Sequence, residues 1–307
     1  MKNISREDLI EKLSLLDTEK VNPDTIDIDT LSPFEICRKI NNEDKKVAAI
    51  VEQAIGDIAI AAKYAAHAWS NNGRIIYIGA GTSGRLGVLD AAECPPTFGV
   101  DPSRTLGVIS GGYGTLILSQ EGVEDRTEAA LEDLKNIGLN KNDFVVGIAA
   151  SVRTPYTVAG VAYAIKVGCR TAFVVCNNAD MLDIKPDVLI RLPVGPEVIT
   201  GSTRMKSGTA QKMTLNMITT TAAVLCGKTY GNLMVDLKAT SEKLAARSRK
   251  ILMELLDIKL KTADTLLQKS GGSVKTAIVM HKLGVSKEDA EKRLHEAGGF
   301  LRKVLDG

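Results

Sequence analysis

A short β-branched strand that runs into a glycine turn and then a helix constrains this chain more than any other stretch. It reads Arg74-Ile75-Ile76-Tyr77-Ile78-Gly79-Ala80-Gly81-Thr82-Ser83-Gly84 and continues to Glu93-Cys94-Pro95-Pro96. A helix that opens beside Thr82 and Ser83 gathers backbone N–H groups, two hydroxyls and the positive end of a helix dipole at one point, a setting that suits a phosphate. Gly81, Thr82 and Ser83 are therefore the expected anion contacts. The proline pair is expected to stop that helix, leaving Glu93 at its C-terminal end. There the dipole disfavours an ionised carboxylate, and a raised pKa would suit a proton donor.

The spacing Gly79-x-Gly81-x-x-Gly84 also fits a dinucleotide fingerprint. That reading needs an acidic residue after the second strand to hold the ribose hydroxyls. The next strand-like run, Thr105–Ile109, ends instead in Ser110-Gly111-Gly112. A nucleotide is therefore not expected.

Composition removes other function classes. The 39 basic residues nearly balance the 37 acidic ones, and aromatics make up 4% of the 307 residues. Neither a basic surface nor stacking platforms for nucleic acid are present in such a chain. Its five cysteines are scattered without a CxxC pair, as in a cytosolic protein with reduced thiols. His67, His281 and His295 are isolated, so no metal-ligand spacing appears. The charged opening Met1-Lys2-Asn3-Ile4-Ser5-Arg6 has no signal-peptide core, and no apolar run approaches the ~18 residues that cross a bilayer. A cytoplasmic protein without a membrane partner is expected.

Residues 1–30 read as an extended arm. Ser32-Pro33-Phe34-Glu35 is a helix start with a capping box, and one long helix is expected from Glu43 to Trp69. The chain then alternates. Strands are expected at Ile75–Ile78, Thr105–Ile109, Phe144–Ala149, Thr171–Val175 and Val188–Leu192, with helices at Thr115–Ile137 and Pro155–Val167 between them. Short, continuously apolar, Val/Ile-rich strands belong to a parallel sheet covered on both faces, joined by right-handed crossovers. The fold class expected is a doubly wound α/β sandwich of about five strands. Beyond Thr203 only helices are expected: Met205–Leu225, Val235–Lys259, Lys261–Lys269 and a three-helix tail over Val274–Leu305.

Ligands of such a sheet bind beyond the carboxyl ends of its strands. Two further loops there have fitting chemistry. Ser151-Val152-Arg153-Thr154-Pro155 offers hydroxyls and a guanidinium, although Ser151 or Thr154 could equally be a helix N-cap. Gly201-Ser202-Thr203-Arg204-Met205-Lys206 is a second hydroxyl-rich helix start that carries cations. Among the acidic residues Glu121, Glu124, Asp125 and Glu128, one could face the cleft, and spacing does not say which. A straight helix from Ser83 to Glu93 rises ~15 Å, longer than the span from a sugar's 6-phosphate to its C2 or C3. Either Gly87 breaks the helix or the glutamate serving a given phosphate comes from a second subunit, which makes a homodimer with shared sites the expected assembly.

Gly79–Gly87 together with Asp90-Ala91-Ala92-Glu93-Cys94-Pro95-Pro96-Thr97-Phe98-Gly99 resembles the N-acetylmuramic acid 6-phosphate etherases. So do Gly201–Lys212 and Gly231-Asn232-Leu233-Met234-Val235-Asp236, and the likeness runs along essentially the whole chain. The resemblance implies a sugar isomerase (SIS), flavodoxin-like sandwich, divided here as an arm and helix (1–55), a phosphosugar domain (56–230) and a C-terminal helical region (231–307). It implies cleavage of the lactyl ether of N-acetylmuramic acid 6-phosphate to N-acetylglucosamine 6-phosphate and D-lactate, without metal or organic cofactor. Glu93 matches the acid that protonates departing lactate, and Glu124 the second glutamate, the C2 base. Substrate contacts are expected from Gly81, Thr82, Ser83, Ser151, Arg153, Thr154, Ser202 and Lys206. Val152 stands where the family has glycine, so a strained or crowded loop is expected if that position needs φ > 0. Two rival readings are a phosphosugar-sensing regulator and an aldose–ketose isomerase of the same fold.

Overall fold

The computed structural model describes residues 13–152, 154–177, 182–237 and 241–306. The chain divides into two compact units, Met1–Asp90 with Leu106–Ile218, and Ala91–Thr105 with Thr219–Gly307.

The first unit is built on a five-stranded parallel sheet in the order β2-β1-β3-β4-β5. Its strands are β1 (Ile75–Gly79), β2 (Thr105–Ile109), β3 (Phe144–Ala149), β4 (Arg170–Val175) and β5 (Val188–Arg191). Ile75 pairs with Phe144, and Phe144 in turn with Arg170. Every residue of β1 and β3 is buried, which explains their unbroken apolar runs. Because β1 is followed on one side by β2 and on the other by β3, the strand order reverses at β1, and the loops after these strands diverge around a crevice. The doubly wound sandwich expected from the sequence is present.

Helix α1 (Pro33–Gln53) opens as anticipated, with Ser32 and Glu35 exchanging capping-box bonds. The expected long helix is two helices, because the chain leaves helical geometry at Ala54 (ψ 3°) before α2 (Ile55–Ser70). The arm is not extended. It folds into short 3-10 turns at Asp17–Glu19, Pro23–Thr25 and Ile28–Thr30. Thr18 and Asn177 exchange hydrogen bonds, and Thr25 donates to the Val198 carbonyl.

Helix α3 (Gly81–Phe98) passes through Pro95 and Pro96 instead of ending before them. The two prolines forfeit hydrogen bonds only in its last turn, where their fixed φ is already helical. The terminator is Gly99, in the left-handed region at φ 65°. Gly87 does not break the helix either. The expected helix over Thr115–Ile137 is confined to α4 (Thr127–Asn136), because Gly122 at φ 76° ends any helix before it. Helix α5 (Pro155–Val167) matches its expected bounds and packs with α4 around Leu134, Tyr156 and Val161. Helix α6 (Lys206–Leu225) follows β5.

The second unit is helical: α7 (Glu242–Leu256), α8 (Leu260–Lys269), α9 (Val274–Leu283), α10 (Lys287–Glu296) and α11 (Leu301–Leu305). Helix α7 starts at its N-cap Ser241, later than periodicity alone placed it, and Lys238–Thr240 lie outside the described residues. Ile251, Leu252, Ala277, Ile278 and Leu301 form its core. Asp236 pairs with Lys228 and with the buried Lys275.

Candidate active site

The glycines of the phosphate turn do different jobs. At Gly81 the backbone is left-handed (φ 54°), which turns the chain out of β1 and into α3. Gly79 and Gly84 permit close approach instead: a Cβ on Gly84 would lie 2.7 Å from the Gly79 carbonyl oxygen and 2.7 Å from Ile109. The first intrahelical bond of α3 runs from Gly84 N to Ala80 O, so the N–H groups of Gly81, Thr82 and Ser83 precede the helical ladder and face outward from its positive end.

Beside this turn is a cavity of about 230 Å³ in the first unit. Ala80, Gly81 and Arg85 form one side, and Ser110, Thr115, Ser119, Gln120, Glu121, Val123 and Glu124 the other, with Thr154 from the third loop. All of these follow β1, β2 or β3, at the reversal of strand order. Glu124 is half-buried, while Glu121, Asp125 and Glu128 are exposed. Of these four, Glu121 and Glu124 line the cavity, and Glu124 is the more buried. The local structure explains why. Ser110 donates its hydroxyl to the Val123 carbonyl and its N–H to the Gly79 carbonyl, fastening the Glu124 segment to the end of β1.

The remaining predicted residues fall in several places. Ser83 is buried and its hydroxyl donates to Gln211 Oε1 at 3.0 Å. The Thr82 methyl would lie 3.5 Å from a Cβ on Gly208, which brings the first turn of α6 beside the phosphate turn. Thr154 is the N-cap residue of α5, makes no side-chain capping bond, and lines the cavity. Ser151 and Ser202 are half-buried on their loops. Arg153 lies outside the described residues. Glu93 stands exposed on α3, five residues before the helix ends, so it does not sit at the dipole's negative terminus. Because α3 is unbroken, its ~15 Å rise from Ser83 to Glu93 holds.

Two expectations require correction. Lys206 is not a cation awaiting phosphate: its ammonium is buried and paired with Glu43 at 2.7 Å. Burial would push the Glu43 carboxyl up, but bonds from Lys206, Lys46 and Asn22 outweigh it and hold the group at about 2. The α6 N-terminus is closed as well. Buried Glu197 accepts from Lys206 N, Ser207 N and Ser207 Oγ, so a carboxylate of the chain itself takes the place an anion would occupy. Val152, in turn, neither strains nor crowds its loop. Its φ is not positive, and its side chain is buried among Ile76, Tyr156 and Val175, away from the cavity lining.

A family model described as the glucokinase regulatory protein N-terminal SIS domain matches residues 57–165. The N-acetylmuramic acid 6-phosphate etherase of Cronobacter sakazakii is 49% identical, over 95% of this chain and 99% of its own. That of Salinibacter ruber is also 49% identical, over 97% of this chain and 96% of its own. That of Escherichia coli is 48% identical, over 96% and 99%. The chain belongs to the N-acetylmuramic acid 6-phosphate etherase family.

Within this etherase-family chain, sequence reasoning missed Ser110, Arg85, Gln211 and Glu197. Arg85 and Ser110 border motifs that were visible, yet their roles depend on partners 30 and 13 residues away. For Glu197 no local signal exists, since a proline-flanked glutamate reads as solvated until α6 folds onto it.

Proposed function

We propose that this chain cleaves the lactyl ether of N-acetylmuramic acid 6-phosphate, releasing D-lactate and leaving N-acetylglucosamine 6-phosphate. The observation that carries the reading is the half-buried Glu124 lining one cavity with the phosphate turn, in a chain of the etherase family. The phosphate is held by the N–H groups at Gly81, Thr82 and Ser83 and by the Thr82 hydroxyl. Ser151, Arg153, Thr154 and Ser202 bind sugar oxygens.

Opening of the sugar ring exposes a C1 aldehyde, which acidifies the C2 proton. Glu124 takes that proton, a C2–C3 double bond forms, and the C3–O bond breaks with its electron pair going to lactate. Glu93, as general acid, protonates the departing oxygen. Its carboxylate then draws a proton from water as the water adds at C3, and C2 is reprotonated. Two carboxyl groups with different protonation states are what this order of events requires.

Glu93 is ~15 Å along α3 from the phosphate turn, so the glutamate that serves a given phosphate comes from a second copy in a homodimer. The phosphosugar site belongs to 56–230, with 1–55 and 231–307 as flanking regions. Among the described residues no helix is long and apolar enough to cross a membrane, and the reaction is assigned to the cytoplasm. A lactate assay with purified protein tests the reading: a ketose without lactate would identify an isomerase, and binding without turnover a regulator.

A further inference from the structure

We propose that Arg85 is a positioning residue of this site, tying the segment that precedes the catalytic base to the helix that receives the phosphate. This rests on the reading of Glu124 given above. The segment between β2 and Glu124 has little structure of its own. It leaves the strand through Gly111 and Gly112 at φ 80° and 75° and reaches Glu124 through Gly122 at φ 76°. Between them lies one 3-10 turn, Tyr113–Leu116. Ile117 and Leu118 are 87% and 72% exposed, so burial of apolar side chains does not hold the tip.

The Thr115 hydroxyl ties the turn back to the Ser110 and Gly112 carbonyls, and the Arg85 guanidinium supplies the anchor to α3. From the start of α3 it donates to the Thr115 carbonyl at 2.5 Å and the Leu116 carbonyl at 3.3 Å, and its Nη2 is 3.4 Å from Ser119 Oγ. A planar fork holds adjacent carbonyls in one fixed geometry, whereas the three donors of an ammonium rotate on a flexible stem. Arg85 follows Ser83 by two residues, so the anchor springs from the same first turns of α3 as the phosphate turn. At the far end the Ser110–Val123 bond pins the residue before the base. The carboxylates of Glu121 and Glu124 share the cavity with Arg85, so its charge is also opposed there.

The test uses the full chain with R85M and R85K. Lactate release gives kcat and KM, and chymotryptic cleavage at Tyr113 and Leu118 reports whether the segment is held. R85M should lower kcat by tenfold to about 10²-fold with KM little changed, the scale of a misplaced reacting group, and should be cut faster than wild type. R85K should fall between them on both measures. A raised KM at unchanged kcat, with weakened inhibition by inorganic phosphate, would make Arg85 a phosphate ligand and overturn the proposal. Equal cleavage rates for wild type and R85M would overturn it whatever the lactate assay reads. If R85M does not fold, as judged by circular dichroism, R85K decides by the same two criteria. Absence of lactate from the wild type would sink the proposed activity, and the cleavage comparison would still decide the role of Arg85.

Discussion

The Ser110 hydroxyl donates to the Val123 carbonyl at 2.6 Å, joining the end of β2 to the residue before Glu124. Both residues are buried, so removing the hydroxyl leaves the Val123 carbonyl with only the longer bond from Arg126 N, at 3.3 Å. Ser110→Ala should therefore cost about 0.5–1.5 kcal/mol of stability, the net worth of one hydrogen bond, read by urea unfolding. With Glu124 as the proposed base, the same bond would position it, so kcat for lactate release should fall while substrate affinity changes less.

Glu124→Gln and Glu93→Gln keep side-chain shape and remove the titrating group. Each should lower turnover by about 10²-fold or more, the scale of general acid–base catalysis. Wild-type turnover in either variant removes that residue from the mechanism. Mixing a Glu93→Ala chain with a Thr82→Val chain should restore part of the activity that each lacks alone, since one of the two shared sites is then intact. No recovery on mixing would place both groups of a site in one chain.

The pair Glu43–Lys206 predicts a dependence on acid. Glu43 sits at about 2 in the fold against an ordinary value of 4.5. A carboxyl held low adds stability that is complete above its unfolded value and is lost as pH falls from about 4.5 toward 2. Urea midpoints measured at pH 6 and pH 3 should therefore drop more for wild type than for Glu43→Gln. At pH 6 that variant should itself lose about 3–5 kcal/mol, because the buried Lys206 ammonium is left unpaired. Glu43→Leu with Lys206→Met should recover much of the loss.

Val152→Gly should not improve the enzyme. Val152 fills core space beside Tyr156 and Val175, and its removal should cost about 2 kcal/mol or more in cavity terms, with a further 0.5–1 kcal/mol from backbone freedom. A lower melting temperature with kcat/KM no higher than wild type is the expected result of calorimetry and the lactate assay. A gain in kcat/KM would mean that the valine does hinder substrate.

What the sequence revealed follows the range of the forces involved. The strands, the Ser32 capping box and α5 with Pro155 at its first position depend on neighbours within a turn or on simple apolar runs, and they were legible. The acidic stretch around Glu124 was read as part of a helix over Thr115–Ile137, whereas Gly122 at φ 76° keeps the helix from starting before Thr127. The proline pair was given more weight than it carries in a final turn. Lys206 was misjudged because its partner Glu43 is 163 residues away, and nothing near a lysine announces so distant a carboxylate. Glu124 was selected by family resemblance; in the fold it is half-buried and lines the cavity, where Asp125 and Glu128 are exposed and do not line it.

The carboxylate that closes α6 also bears on which sugars fit. Glu197 fills a helix start next to Thr82, so an anion seated at the phosphate turn would find the α6 N–H groups already taken. A hexose bearing phosphoryl groups at both ends would find no second helix start open beside the first. Weaker binding of such a bisphosphate than of the singly phosphorylated sugar is the expected consequence.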